Sequence, residues 1–231
     1  MKKLKLIAVL IAFSAFAYSA SAQVGIEAGY QNLGYSMKGN GLSHNSSLNG
    51  FYVGVSDEIR IVAGLGVHVG LNYSFATDKS AKTLFDELSM KGGSEKAHYL
   101  NVPLRVRYAF NIVPKILKIQ VYAGPVFSVG LSHTQNFDYA AEIGGDTYGG
   151  QLTYNYYTGK FKSGDFNEDL SEVLPSYKRF EAALGGGVGV ELFRLIEVKA
   201  GYDWGLTERS KSAEIFSSKR NIFYVTLGFR F

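Results

Sequence analysis

Eight separate segments of this chain alternate apolar and polar residues with period two, and this pattern constrains the fold more than any other feature. Period two is the signature of a β-strand with two unlike faces, because successive side chains point to opposite sides of the pleat. The third segment shows it most clearly. Leu65, Val67, Val69, Leu71, Tyr73 and Phe75 oppose Gly66, His68, Gly70, Asn72 and Ser74. The others centre on Val24–Gln31, Leu48–Glu58, Leu100–Phe110, Ile119–Leu131, Arg179–Leu192, Ile196–Leu206 and Phe223–Phe231.

The connections alternate short and long. Asp57–Arg60, Asn111–Lys118 and Phe193–Leu195 are short, whereas Gly34–Ser47, Ala76–Ala97, Ser132–Lys178 and Glu208–Arg220 read as long loops. Short turns on one rim and long loops on the other predict an all-β fold, an eight-stranded, antiparallel, up-and-down transmembrane β-barrel. A soluble barrel shares the alternation but buries its aliphatic face. Here that face carries aromatic residues near the strand ends, as expected of girdles at two membrane interfaces. Tyr30, Phe51, Tyr73, Phe75, Phe180, Tyr202, Trp204 and Phe223 gather toward the long loops. Tyr108, Phe110, Phe229 and Phe231 gather toward the short turns.

The opposite face is rich in glycine and charge. Glu27, Glu58, Glu181, Glu191, Glu197 and Asp203 share it with Arg105, Arg107, Arg179, Lys199 and Arg230. Eight strands leave an interior that side chains just fill, and an unpaired buried charge costs several kcal/mol. The expectation is a lumen closed by a charge network of Glu27, Arg105, Arg107, Glu181, Glu191, Lys199 and Asp203, centred on Arg105, Arg107, Glu181 and Glu191.

Residues 1–22 read as a cleaved signal peptide, followed by one barrel domain over 23–231. Lys2, Lys3 and Lys5 precede an apolar run from Leu6 to Phe16, and Ala20-Ser21-Ala22 offers a cleavage site. That run is too short for the ~20 residues a membrane-spanning helix needs. The whole chain carries a net charge of +4. Removing the leader leaves 21 basic against 20 acidic residues, so nothing in the charge supports a nucleic-acid partner.

Several phrases carry a resemblance. Tyr99-Leu100-Asn101-Val102-Pro103-Leu104-Arg105-Val106-Arg107-Tyr108, Tyr122-Ala123-Gly124-Pro125, the Gly-rich stretch 183–191, Gly201-Tyr202-Asp203-Trp204-Gly205-Leu206-Thr207 and Leu227-Gly228-Phe229-Arg230-Phe231 resemble strands of the Bacteroidetes-type outer-membrane β-barrel family, the porin-like or PorT-like small barrels. The resemblance implies fold and location, the cell outer membrane, and no shared enzymatic activity. The closing Phe229 and Phe231 look like the signal read by the outer-membrane assembly machinery, although Thr226 stands where that pattern has glycine.

Little else points to chemistry. The chain has no Cys, which excludes disulfides, thiol catalysis and Cys-ligated metals. Gly64-Leu65-Gly66 and Gly185–Gly189 lie inside strand patterns with no following helix, so they are not phosphate loops. His44, His68, His98 and His133 show no metal-ligand spacing. His44-Asn45-Ser46 matches the His-x-Ser of outer-membrane lipid A deacylases but reads as part of a polar loop. No catalytic residue, cofactor or metal is assigned. Within 132–178, Tyr148, Tyr154, Tyr156 and Tyr157 are candidate contact residues for an extracellular ligand, since binding residues concentrate on loops. Ser80–Lys91 places Ala81, Leu84, Phe85 and Leu88 at helical spacing, a short amphipathic helix for the rim.

The sequence therefore predicts a monomeric, non-enzymatic outer-membrane barrel with a structural or surface-interaction role. Its expected partners are membrane lipid and lipopolysaccharide, the assembly machinery, and an extracellular ligand or secretion partner. The alternatives are a small-solute pore, an accessory barrel of a secretion system and, last, a lipid A-modifying enzyme.

Overall fold

The computed structural model describes residues 22–39, 42–78, 91–143, 146–163, 166–169, 176–211 and 217–231. The signal-peptide reading and the Ser80–Lys91 helix fall almost wholly outside the described residues. Among the described residues no helix is long and apolar enough to cross a membrane.

Eleven strands form one antiparallel sheet: β1 Ala22–Gly39, β2 Leu42–Val62, β3 Leu65–Asp78, β4 Lys91–Val113, β5 Leu117–Ile143, β6 Asp146–Asn155, β7 Lys160–Ser163, β8 Phe166–Asp169, β9 Phe180–Leu192, β10 Ile196–Gly205 and β11 Ser217–Arg230. Eight close into a ring. β1 to β5 pair in sequence, β5 pairs with β9, β9 to β11 pair in sequence, and β11 returns to β1 from Gly25↔Arg230 to Lys38↔Ser217. β6, β7 and β8 continue outward from the upper half of β5 as a ribbon.

The alternation dictates which face turns where. Ile26, Val53, Val55, Val106, Val121, Val188, Val198, Val225 and Leu227 all point outward and are exposed, while the intervening Glu27, Arg105, Arg107, Gln120 and Lys199 are buried in the lumen. In water this would be an inside-out protein. In a bilayer it is stable, because the strands pair round a closed ring and the outward face is apolar. Trp204, Tyr202, Phe180, Phe51 and Tyr30 stand at one end of the outer face, and Tyr108, Phe110 and Phe229 at the other.

The short-turn rim is tight. Phe193 and Arg194 have φ of 54° and 61°, and Ala63 and Gly64 have 41° and 89°. In the two-residue connection between Val62 and Leu65, two successive positive φ values are the turn geometry that matches strand twist. The inner wall is thin where aromatic rings cross it. Tyr122 lies against Gly187 and Tyr224 against Gly201, where a Cβ would collide with the phenol oxygens.

The long connections differ from the expected loops. Gly34–Ser47 is ladder almost throughout, with β1 and β2 paired as far as Gly39↔Leu42. Much of 132–178 is strand as well, in β5 to β8. The Gly, Ser and Asn content of these stretches reads as loop in isolation, but the neighbouring strand extends the ladder regardless of propensity. The barrel therefore stands well above the aromatic girdle.

Candidate functional site

The inward faces of the eight ring strands form a stack of charged tiers. The lowest lies near the short turns. Arg107 Nη2 is 2.5 Å from Glu58 and its Nη1 donates to Gln120 Oε1 at 2.6 Å, with Glu191 and Glu197 each at 3.8 Å. Arg230 bonds Glu58 and reaches Glu197 at 2.7 Å, and Lys118 Nζ sits 2.5 Å from Glu191. Glu58 is wholly buried. Its placement follows from parity, since Ser56, Glu58 and Arg60 share the inward face of β2.

The middle tier joins distant strands. Lys199 Nζ lies 2.8 Å from Glu27 and 3.3 Å from Glu197, and Asn72 donates to Glu27 at 2.8 Å. Arg105 grips Asp203 with Nη2 at 2.7 and 2.9 Å from its two oxygens, and its guanidinium lies 5.6 Å from the rings of Tyr122 and Tyr224. His68 stands 4.0 Å from Glu27.

The third tier caps the lumen at the long-loop end, where Glu181 binds Arg209 at 3.0 Å and Arg220 at 2.7 Å. Arg209 is 1% exposed. Its guanidinium is sandwiched between the rings of Tyr35 and Tyr177 at 4.4 and 4.3 Å, and its Nη2 donates to Tyr99 Oη at 3.1 Å. Arg220 stacks on Tyr99 at 3.9 Å. Arg209 Nη2 also lies 3.3 Å from His133 Nδ1, and His133 Nε2 lies 2.6 Å from Glu95. An arginine only donates. His133 Nδ1 is therefore the acceptor and Nε2–H donates to Glu95. Burial holds the His133 pKa below its usual value, against the pull of Glu95 and with help from Arg209, so the ring is neutral at neutral pH.

Of the residues expected to form one network, Glu27 and Lys199 pair directly, as do Arg105 and Asp203, and Arg107 lies near Glu191. The expected centre is not one cluster. Glu181 belongs to the cap with Arg209 and Arg220, apart from Arg105 and Arg107. Arg179 is not a lumen residue. It precedes β9 and is exposed, with Nη1 donating to the carbonyls of Gly130 and Leu131 at 3.0 Å each and its guanidinium 4.6 Å from the Tyr157 ring. Arg209, Arg220, Lys118, Glu95 and His133 fall in segments whose sequence reads as loop or turn. Parity with Ile222 and Tyr224 could have flagged Arg220, but no local signal marks Arg209.

The tyrosines of the ribbon are interior. Tyr154 and Tyr157 are buried, with Tyr154 packed on Phe137 and Phe161. Tyr156 is partly buried, stacks on Tyr177 at 4.9 Å and donates to Gln135 at 2.5 Å. These three rings pack among neighbouring side chains rather than standing open to solvent. The Tyr148 side chain lies outside the described residues. Phe229 and Phe231 face outward on the last turn of the ring.

The His44-x-Ser46 pair lies on β2 opposite Met37 and Tyr35, above the girdle and away from the hydrocarbon. Among the described residues no group of three or more His, Asp or Glu is placed to hold a metal ion.

Residues 16–209 match the family model described as outer membrane protein beta-barrel domain. Among solved structures, the chain is similar to Ail, the attachment invasion locus protein of Yersinia pestis. Identity is 11%, coverage 91% of this chain and 99% of that one, and the TM-score 0.42. It is also similar to Neisserial surface protein A, with 14% identity, 90% and 97% coverage and a TM-score of 0.42. OprG from Pseudomonas aeruginosa gives 10% identity, 91% and 96% coverage and a TM-score of 0.45. No curated protein matches.

Proposed function

The chain belongs to the outer membrane protein β-barrel domain family, and from that premise we propose that it is a closed, non-enzymatic barrel acting through its extracellular ribbon. The observation that carries this reading is the buried Arg209 cap. A guanidinium clamped by Tyr35, Tyr177, Tyr99 and Glu181 lies across the mouth. Two further tiers of paired charge lie below it. Breaking such a buried pair costs about 3–5 kcal/mol, so thermal opening of all three is rare.

In this reading the outward apolar band meets membrane lipid and lipopolysaccharide, and Phe229 and Phe231 serve recognition by the assembly machinery. The closed ring offers no free strand edge to a second copy, in keeping with a monomer, and a ligand or secretion partner is met by the ribbon. Conductance of the folded protein in planar bilayers is the test. Silence is the expected result, and steady steps overturn it.

A second reading, a gated pore for small solutes, is favoured by one feature. A cavity of about 60 Å³ lies between the cap and the lowest tier, lined by Gln31, Tyr52, Tyr122 and Tyr224 among others. Gln31 Nε2 is buried there without a hydrogen-bond partner. The space suits a few waters. Conductance that appears only when Arg209 is truncated would select this reading.

A further inference from the structure

The outward face changes character just above the aromatic girdle at the long-loop end. Phe180 belongs to that girdle and stacks on Phe127, with ring centroids 6.4 Å apart. The next residue up is Arg179, and it is exposed. On the neighbouring wall His98 packs on Phe75 at 4.9 Å, and Lys96, two residues higher on the same face of β4, is exposed. A strand rises about 3.3 Å per residue. Arg179 and Lys96 therefore stand about 3 and 7 Å above the girdle, inside the headgroup layer that adds about 5–8 Å to each side of the hydrocarbon. In outer-membrane barrels the long loops are extracellular, so this layer is that of the outer leaflet.

Among the described residues no carboxylate lies within ion-pair distance of either cation. Arg179 is nonetheless held in place. Its Nη1 donates to the carbonyls of Gly130 and Leu131 at 3.0 Å each, and its guanidinium lies 4.6 Å from the Tyr157 ring. Its Nε and Nη2 remain as donors for an oxyanion from outside. Between the two cations the outward side of β5 carries hydroxyls, with Ser132 opposite His98 and Thr134 opposite Lys96. Below them, Val129, Leu131 and Phe180 form an exposed apolar floor. The other outward cations differ. Lys178 is offset by the nearby Glu208. Lys219 stands four residues above Phe223 and Lys38 eight above Tyr30, so both lie roughly 10 Å or more above the girdle, beyond the headgroup layer.

We propose that the wall formed by β4, β5 and the start of β9 seats one lipopolysaccharide molecule, a phosphate of its lipid A headgroup on Arg179 and Lys96 and an acyl chain along Val129, Leu131 and Phe180. The proposal rests on the reading that the outward band meets outer-leaflet lipid, and adds which wall holds that lipid and through which groups. The planar fork of arginine matches the geometry of a phosphate, and lysine adds a mobile point charge. The seat is continuous with the apolar band below it, so headgroup and chain are engaged together. It lies on the outer wall and is independent of whether the lumen conducts.

The test is a titration of the isotope-labelled, refolded protein in phosphatidylcholine nanodiscs with three lipids: diphosphoryl lipid A, lipid A stripped of its phosphates, and phosphatidylglycerol. Amide chemical shifts are the readout. Diphosphoryl lipid A is expected to give saturable shifts at residues 96–98, 130–134 and 178–180, approaching one molecule per barrel. Arg179→Gln keeps an amide to donate to the Gly130 and Leu131 carbonyls. Lys96→Gln changes an exposed side chain with no structural partner, so the proposal stays testable if the first variant folds poorly. Each should weaken diphosphoryl lipid A about fivefold, the effect of one cation at a charged membrane surface, whereas Lys219→Gln should leave it unchanged. Phosphatidylglycerol or the dephosphorylated lipid binding as tightly would overturn the proposal, as would unchanged affinity in both variants. Lipid A shifts of equal size all round the girdle would remove the seat while leaving the barrel in contact with lipopolysaccharide. A protein that takes up no lipid A would remove that underlying reading as well.

Discussion

The same strands obey opposite rules in their two halves. Along the lower β5 the outward residues are Ile119, Val121 and Phe127 and the inward ones Lys118, Gln120 and Tyr122. Above the girdle, Phe137 is fully buried against Tyr154 and Phe161 while Lys162 faces water. The β4–β5 pairing runs through both halves, with a register shift at His98/Tyr99 between them. The solvent changes. Hydrocarbon outside forces polar groups inward, where they must pair. Water outside returns the ribbon to an ordinary apolar core. The lower half is therefore held by ion pairs within a lipid sleeve, and the upper half by rings.

The largest expected effect tests the ionic half. Glu58→Ala leaves Arg107 and Arg230 facing each other without their shared carboxylate. We expect a loss of about 3–5 kcal/mol, read from urea unfolding of the protein in lipid vesicles. A loss under 1 kcal/mol would mean that water reaches this tier and does the pairing instead.

The next contrast uses one substitution on both halves. Val188 is 57% exposed near the middle of β9, facing lipid. Val188→Lys should cost roughly 2–4 kcal/mol, as a charge at the midplane does. Thr158→Lys, at an exposed turn of the ribbon, should change stability by no more than about 0.5 kcal/mol. Equal effects at the two sites would remove the distinction between the halves.

This division explains what could be read from the chain. In the lipid sleeve each face has one rule, so alternation in β10 placed Glu197, Lys199 and Asp203 inward and Val198 and Trp204 outward without any knowledge of their partners. Above the girdle the rule weakens: Leu152-Thr153-Tyr154-Asn155-Tyr156-Tyr157 still alternates and reads as a hairpin, but the β1–β2 extension does not. Ser43, Asn45, Ser46 and Ser47 carry weak strand propensity, yet they are paired because β1 continues beside them. Arg209 is the extreme case. It sits among Glu208, Ser210 and Lys211, where charge reads as a solvated loop, but its partners Tyr35, Tyr99, His133 and Glu181 come from other strands and far positions in the chain. Patterning shows which face a residue takes. It does not show which distant residues meet it.

A smaller effect should appear with pH, and only in the upper half. His133 faces Glu95, Arg209 and, beyond it, Glu181, and packs on Tyr35, Tyr156 and Tyr177. Its folded pKa lies below the unfolded value of 6.5, so the unfolded or opened state takes up a proton first as pH falls. Stability from the neutral ring is complete above about pH 6.5 and declines as pH drops below it toward the folded value. Protection of the Tyr156 amide, which bonds His133 O at 3.0 Å, and of the Tyr177 amide, which bonds Tyr156 O at 2.7 Å, should fall between pH 7.5 and 5.5. Intrinsic exchange rates must be divided out. His133→Asn should flatten the profile, and β10 amides should show none of it.

The smallest effect concerns how the cap residue is presented. Glu208 accepts from Ser210 N at 3.0 Å, Ser217 Oγ at 2.6 Å and Ser218 N at 2.5 Å, tying the segment that carries Arg209 to the start of β11. Partial burial pushes its carboxyl up, but these three donors outweigh it and hold the pKa below the usual carboxylate range. The carboxylate is only partly buried, so water replaces it readily and Glu208→Ala should leave the global unfolding midpoint unchanged. Faster exchange confined to the Ser210 and Ser218 amides is the expected signature. If Glu181, Tyr35 and Tyr177 alone fix Arg209, its side-chain resonances stay in place when Glu208 is gone. If those resonances shift toward solvent values, the cap depends on a partly buried loop carboxylate, and the upper half is not the self-contained aromatic core that separates it from the ionic barrel below.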